Sequence, residues 1–161
     1  IGGLGIGFTA AAALSRLPPD GQVIVAELVP AIIRWNQGPL GEAAGRPLED
    51  KRTSVICGDV IETIRKTTSK WDAILLDVDN GPESLSHPNN QWLYGQKGLR
   101  QMFATLKPGG VLGVWSASRD DAFTTRLRKV GFNVEIITAR AHGRRGARHT
   151  IWIASQNKGA N

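Results

Sequence analysis

The 161 residues predict one α/β domain of the doubly wound, three-layer kind, with a mostly parallel sheet between helices. Three observations carry this. The chain opens on Ile1-Gly2-Gly3-Leu4-Gly5-Ile6-Gly7, where glycines at alternate positions allow a tight turn and a close backbone approach to a ligand. The next apolar run, Val23-Ile24-Val25-Ala26-Glu27-Leu28, is β-rich and brings a carboxylate to its carboxyl end. Beyond it, short apolar runs alternate with helical stretches, as in successive right-handed crossovers.

Taken in order, Phe8 to Leu17 is predicted as a helix, alanine-rich, with Phe8, Ala11, Ala12 and Leu14 available to the sheet. Pro18-Pro19-Asp20-Gly21 ends it. Val23 to Leu28 is a strand, and Pro30 suits the first turn of a helix running to about Gln37. Gly38 to Lys51 has no periodicity and reads as a surface connection. Thr53 to Cys57 is the next strand. Asp59 then caps a helix with Val60, Ile61 and Ile64 inward.

Trp71 to Asp77 reads as a central strand buried on both faces, since Leu75 and Leu76 continue an apolar run without polar alternation. Gly81 to Asn90 is a loop stiffened by Pro82 and Pro88. Leu93 to Leu106 is a helix with Leu99, Met102, Phe103 and Leu106 as its apolar stripe. Lys107-Pro108-Gly109-Gly110 turns into the strand Val111–Trp115. A helix starts at Asp120 or Asp121 and stops at Gly131, and Phe132–Ile137 pairs antiparallel with Thr150–Ala154. The first strand expected before the glycine turn is nearly all missing, so the chain reads as part of a longer protein whose amino-terminal segment is absent.

Composition narrows the function. A hydrophobic content of 41% suits one domain with a real core. No apolar stretch approaches the roughly 20 residues of a membrane span, and no secretory signal is visible, so cytoplasmic residence is expected. The lone Cys57 excludes an internal disulfide and a multi-cysteine metal site, and its apolar surroundings predict a buried, inert thiol. His87, His142 and His149 have no ligand partners at metal spacing, so no metal is expected. The formal charge of +6 is concentrated in Arg140–His149, which reads as a solvated hairpin loop. No aromatic-interleaved basic stripe gives a strong nucleic-acid signal.

Chemistry is expected at the carboxyl ends of the strands, where ligands of open α/β sheets bind. The glycine spacing is G-x-G-x-G over Gly3, Gly5 and Gly7. Phe8 stands where a dinucleotide fingerprint would need glycine, and the lysine of a phosphate loop is absent. A nucleoside with a phosphate-free tail, such as a sulfonium compound, fits better than a pyrophosphate. Glu27 would accept from both ribose hydroxyls. Asp59 would accept from an exocyclic amine of the base while the Val60 backbone donates to a ring nitrogen, an adenine-like edge. Asp77-Val78-Asp79-Asn80-Gly81-Pro82 places carboxylates after a strand, where one could take a proton from an amine or hold a cation. Trp92 and Tyr94 would wall the substrate space, with Asn89 and Asn90 adding polar contacts, though packing of the loop explains them equally well.

These residues resemble the spermidine synthase-like, or polyamine aminopropyltransferase, branch of the class I S-adenosylmethionine-dependent methyltransferase superfamily. The resemblance rests on Gly2–Gly7, Val25-Ala26-Glu27-Leu28-Val29-Pro30, Gly58-Asp59-Val60, Asp77–Pro82 and Leu106-Lys107-Pro108-Gly109-Gly110-Val111-Leu112. It implies a Rossmann-like sheet of seven strands, mostly parallel, with the last antiparallel and the first truncated. It implies that Gly2, Gly3, Gly5, Glu27, Leu28, Gly58, Asp59, Val60 and Asp77 hold decarboxylated S-adenosylmethionine or S-adenosylmethionine as group donor. The implied reaction is aminopropyl transfer to a polyamine or related amine, with Asp77 as base and Asp79 or Asn80 holding the substrate's cation. Methyl transfer and a homologue without catalysis stay as alternatives. The family pattern has a second aspartate where Asn80 stands and a tyrosine where Leu99 stands. A homodimer is the expected assembly.

Overall fold

A computed structural model describes residues 1–68, 70–78, 81–82, 90–142 and 145–157. They form two compact units, Ile1–Thr63 and Ile64–Asn161. The α/β character is as expected. Among the described residues the strands fall into a two-stranded parallel sheet and a four-stranded mixed sheet, so one continuous seven-stranded sheet is not shown.

The first unit contains α1 (Phe8–Leu14), β1 (Val23–Glu27), α2 (Pro30–Gln37), α3 (Pro39–Ala43), a 3-10 turn at Pro47–Glu49, β2 (Thr53–Cys57) and the start of α4 (Val60–Lys66). β1 and β2 pair in parallel from Val23↔Thr53 to Glu27↔Cys57. On the other edge of β1, Gly2 bridges Ala26 in parallel, with Gly3 N donating to Ala26 O at 2.9 Å. Leu4, Ala10, Leu14, Val23 and Val25 form the core, flanked by Ile32 and Ile33 of α2. This burial of one stripe per helix holds short helices that would be marginal alone.

Four expectations change in this unit. α1 stops at Leu14, because Ser15 caps it and Arg16 and Leu17 turn back to Ala13 O before the prolines. Its inward stripe is Ala10 and Leu14. Phe8 lies two positions earlier, about 160° around the helix from Ala10, and is 58% exposed. The 38–51 connection contains α3 and the 3-10 turn, each too short to show a period in sequence. Cys57 is exposed rather than buried. β2 has a strand partner on one edge only, and its residues are half-buried or exposed throughout.

The second unit carries β3 (Trp71–Leu76), α5 (Asn90–Leu93), α6 (Gln96–Thr105), β4 (Leu106–Ser116), α7 (Asp121–Val130), β5 (Asn133–His142) and β6 (Arg145–Ser155). The sheet order is β3-β4-β6-β5. β4 lies parallel to β3, with Leu75 opposite Gly113, and β6 runs antiparallel to both β4 and β5. This is the neighbourhood expected for Val111–Trp115. The Lys107–Gly110 turn lies inside β4: the register jumps from Trp71↔Leu106 to Ala73↔Val111. The single helix expected over Leu93–Leu106 is broken into α5 and α6 by extended backbone at Gly95. α7 begins and ends as its sequence signals, with Asp120 accepting from Phe123 N at 2.7 Å and Gly131 closing it in the left-handed region.

One face of this sheet presents Leu76, Leu112, Val114, Trp152 and Ala154, all essentially buried, as are Leu99, Met102, Phe123 and Leu127 of α6 and α7. Trp152 meets the Phe123 ring edge-on at 5.1 Å and donates from Nε1 to Thr124 Oγ1 at 2.8 Å. The buried indole N–H is thereby satisfied. β3 is not buried on both faces: Ile74 and Leu76 are, but Ala73 is exposed and Leu75 half-buried. It is the terminal strand of its sheet.

Candidate functional site

In the first unit the polar groups gather where β1 and β2 end. Gly3, Gly5 and Gly7 take φ of 87°, 53° and 96°, the left-handed side that glycine enters without penalty. The last two glycines differ in surroundings. A Cβ on Gly7 would stand 2.9 Å from Pro47 Cγ and 3.0 Å from Asn36 Oδ1, whereas one on Gly5 would meet nothing within 4 Å. Gly7 therefore lets the turn close on the 3-10 segment, and Gly5 leaves backbone open on its outer side.

Glu27 anchors this turn. Its side chain is 5% exposed, its Oε2 accepts from Leu4 N at 2.8 Å and its Oε1 from Val29 N at 2.8 Å. A carboxylate has about four lone-pair sites, so each oxygen keeps capacity for another donor. The backbone adds a second tie between the strand ends, Gly58 N donating to Glu27 O at 2.9 Å. Asp59 caps α4, its Oδ1 accepting from Ile61 N at 2.8 Å. It is half-buried, as are Gly58 and Val60.

Sequence reading missed Asn36. It is 2% exposed on α2, and its Nδ2 donates to Gly5 O at 2.8 Å and Ile32 O at 3.0 Å. It thus ties the glycine turn to α2. A lone asparagine on an amphipathic helix gives no such signal, since its partner lies 31 positions away. Also missed were the exposed apolar residues Ile6, Phe8 and Val29, which with the 56%-exposed Leu28 follow the turn and the end of β1 in sequence. Apolar side chains left in water beside a buried acid suit a ligand with a flat apolar part and a hydroxylated part.

In the second unit Asp77 follows β3 directly and is exposed. Asp79, Asn80, His87 and Asn89 lie outside the described residues, and so does the side chain of Asn90. Gly81 has φ 95°, and a Cβ there would overlap the side chain of Ser116 at the end of β4. Gly81 thus lies close against Ser116 and leaves no space for a side chain. Tyr94, 3% exposed, meets Phe123 edge-on at 5.7 Å, and its hydroxyl donates to Val78 O at 3.3 Å. It positions backbone one residue beyond Asp77. Trp92 is half-buried, with the Arg65 guanidinium 4.3 Å from its ring centre. Among the described residues no cluster of three His, Cys, Asp or Glu could hold a metal ion, and no helix is long and apolar enough to cross a membrane.

The sequence profile of the S-adenosyl-L-methionine-dependent methyltransferases matches residues 32–150. The chain belongs to this family. Over 91 residues it is also 29% identical to the polyamine aminopropyltransferase of Sulfolobus acidocaldarius, a match covering 56% of this chain and 29% of that protein. Among solved structures, spermidine synthase from Thermotoga maritima superimposes with a TM-score of 0.74 at 18% identity, covering 98% of this chain and 52% of that one. A spermidine synthase in complex with the transition-state analogue AdoDATO gives 0.73 with the same identity and coverage. Human methyltransferase-like protein 13 in complex with SAH gives 0.73 at 18% identity, covering 99% of this chain and 72% of that one. At such identity the likeness is one of fold: a Rossmann-like methyltransferase-type fold related to spermidine synthase. This family member spans about half the length of those spermidine synthases, and its match to the aminopropyltransferase covers under a third of that protein.

Proposed function

We propose that the chain is a transferase that holds the nucleoside of an S-adenosylmethionine-type donor on Gly3, Gly5, Glu27, Asp59 and Val60, and that the group transferred is methyl. The observation that carries this is Glu27. It is a buried carboxylate whose two oxygens brace the turn through Leu4 N and Val29 N and still have lone pairs for two ribose hydroxyls. Leu28 next to it supplies an exposed apolar surface for the base. Family membership supports methyl as the group. In the reaction a lone pair of the acceptor attacks the sulfonium methyl, the C–S bond breaks, and its electrons return to sulfur as a neutral thioether. An amine acceptor would pass its proton to a carboxylate, the role proposed for Asp77.

Aminopropyl transfer from decarboxylated S-adenosylmethionine is the second reading, favoured by the 91-residue match to an aminopropyltransferase. The two share the nucleoside site and part at the donor's carboxylate. The deciding experiment offers the purified protein each donor with a panel of diamines, nucleic acids and proteins. Product from S-adenosylmethionine with release of S-adenosylhomocysteine supports methyl transfer. Methylthioadenosine released from the decarboxylated donor alone overturns it in favour of the second reading. Nucleoside binding without product from either donor or any acceptor overturns both.

A further inference from the structure

The basic segment near the end of the chain is not the loop its composition suggests. β5 and β6 pair on beyond the rest of the sheet. β4 accompanies β6 only as far as Ser116↔Thr150, whereas β5 and β6 continue through Ala139↔His149, Arg140↔Arg148 and His142↔Arg145. The result is a two-stranded arm. Because β6 is antiparallel to β4, the arm extends past the carboxyl ends of β3 and β4, the edge of this unit that carries Asp77.

The arm is basic. Residues 139–149 contain four arginines, two histidines and no acid. Arg140 and Arg148 stand directly opposite each other and are both exposed. Like charges opposite one another destabilise a strand pair. No described carboxylate offsets them. The acids at the start of α7 are already engaged, Asp120 with Arg126 at 3.1 Å and Asp121 with Arg119 at 2.8 Å. Among the described residues neither Arg140 nor Arg148 has an ion-pair partner.

From this arrangement we propose that the β5–β6 arm is a docking surface for nucleic acid, engaged through the sugar–phosphate backbone. A narrow two-stranded ribbon fits alongside or within a nucleic-acid groove. Its described cations are arginines, whose planar forks match phosphate oxygens in pairs. A closely spaced arginine pair is relieved by a line of closely spaced negative charges, which a phosphate backbone supplies. The proposal concerns binding and stands whichever group the protein transfers. It also sets the arm against a free polycationic amine, which it would repel.

The test is fluorescence anisotropy with a labelled 20-nucleotide single-stranded RNA and a 20-base-pair DNA duplex, titrated with the whole chain at several salt concentrations. Wild type is compared with R140A/R148A and with R140K/R148K, and circular dichroism and thermal melting verify folding. Binding to at least one probe is expected, weakening steeply with salt. Each lost phosphate contact lowers the logarithmic salt slope by about 0.7 to 0.9. R140A/R148A should therefore bind at least tenfold more weakly with a slope reduced by about 1.4 to 1.8, and R140K/R148K, which keeps the charges but loses the forks, should keep the wild-type slope and bind more tightly than R140A/R148A. No binding of either probe by wild type overturns the proposal. So does equal binding by a folded R140A/R148A variant, or displacement of the probe by polyglutamate of equal charge at equal concentration.

Discussion

Adding one methyl group at Gly5 or at Gly7 separates what the opening turn does for folding from what it does for the ligand. At Gly7 alanine meets two costs. Its φ of 96° lies beyond the small left-handed basin, and its Cβ would press on Pro47 Cγ at 2.9 Å and Asn36 Oδ1 at 3.0 Å. The conformational term is about 1–2 kcal/mol and the overpacking about 1–3 kcal/mol. Gly7→Ala should therefore destabilise by about 2–5 kcal/mol. At Gly5 the φ of 53° falls in the φ range of the left-handed basin and the Cβ meets nothing. Only the conformational term applies, about 1 kcal/mol. For a chain of this length each kcal/mol moves the melting temperature by about 2–4 °C. Gly5→Ala should thus melt about 2–4 °C below wild type, and Gly7→Ala at least twice as far below. Calorimetric titration with S-adenosylhomocysteine completes the comparison: Gly5→Ala should lose at least tenfold in affinity despite its mild effect on stability. Equal melting of the two variants would refute the packing of Gly7. Unchanged affinity in Gly5→Ala would refute a close approach of ligand to the turn.

Two further predictions concern the second unit and the acid limb of stability. Tyr94→Phe keeps the edge-on contact with Phe123 but removes the donor to Val78 O; chemical denaturation should show a loss of about 1 kcal/mol, and turnover should fall with little change in donor affinity. Hydrogen bonds from the Arg52 side chain and backbone hold the Asp50 carboxyl down at about 2. A depressed carboxyl contributes stability that is fully present above its unfolded value of about 3.9 and is lost as pH falls towards 2. The melting-temperature gap between wild type and Asp50→Asn should therefore be constant above about pH 5 and close between about pH 4 and pH 2. A gap that stays open at pH 2 would show that the ion pair is not its source.

Much of this was legible in the sequence because the signals are local. The three glycines, the capping aspartates 59 and 120, Pro30 and Gly131 each act within a few residues of themselves, and each does in the fold what its type predicts. Asn36 was not legible because its value lies in a carbonyl 31 positions away. Phe8 looks like a core residue by type, and only its surroundings show it exposed. Cys57 misled for the same reason, since an apolar run does not say whether its strand is an edge. The basic segment 140–149 reads as a hairpin loop because it lies between two apolar runs, while its pairing depends on the register that β5 and β6 inherit from the sheet.

The central claim is that Glu27 holds a ribose, and a double-mutant cycle tests it most directly. S-adenosylhomocysteine and its 2′,3′-dideoxy analogue are titrated calorimetrically into wild type and Glu27→Gln. Because each protein is compared with itself, any disturbance of Leu4 N or Val29 N cancels. Hydrogen bonds to a charged group contribute about 1.5–3 kcal/mol. Wild type should therefore prefer the diol by at least tenfold, and Glu27→Gln should lose most of that preference, for a coupling of at least about 1 kcal/mol. Equal discrimination by the two proteins would contradict the account.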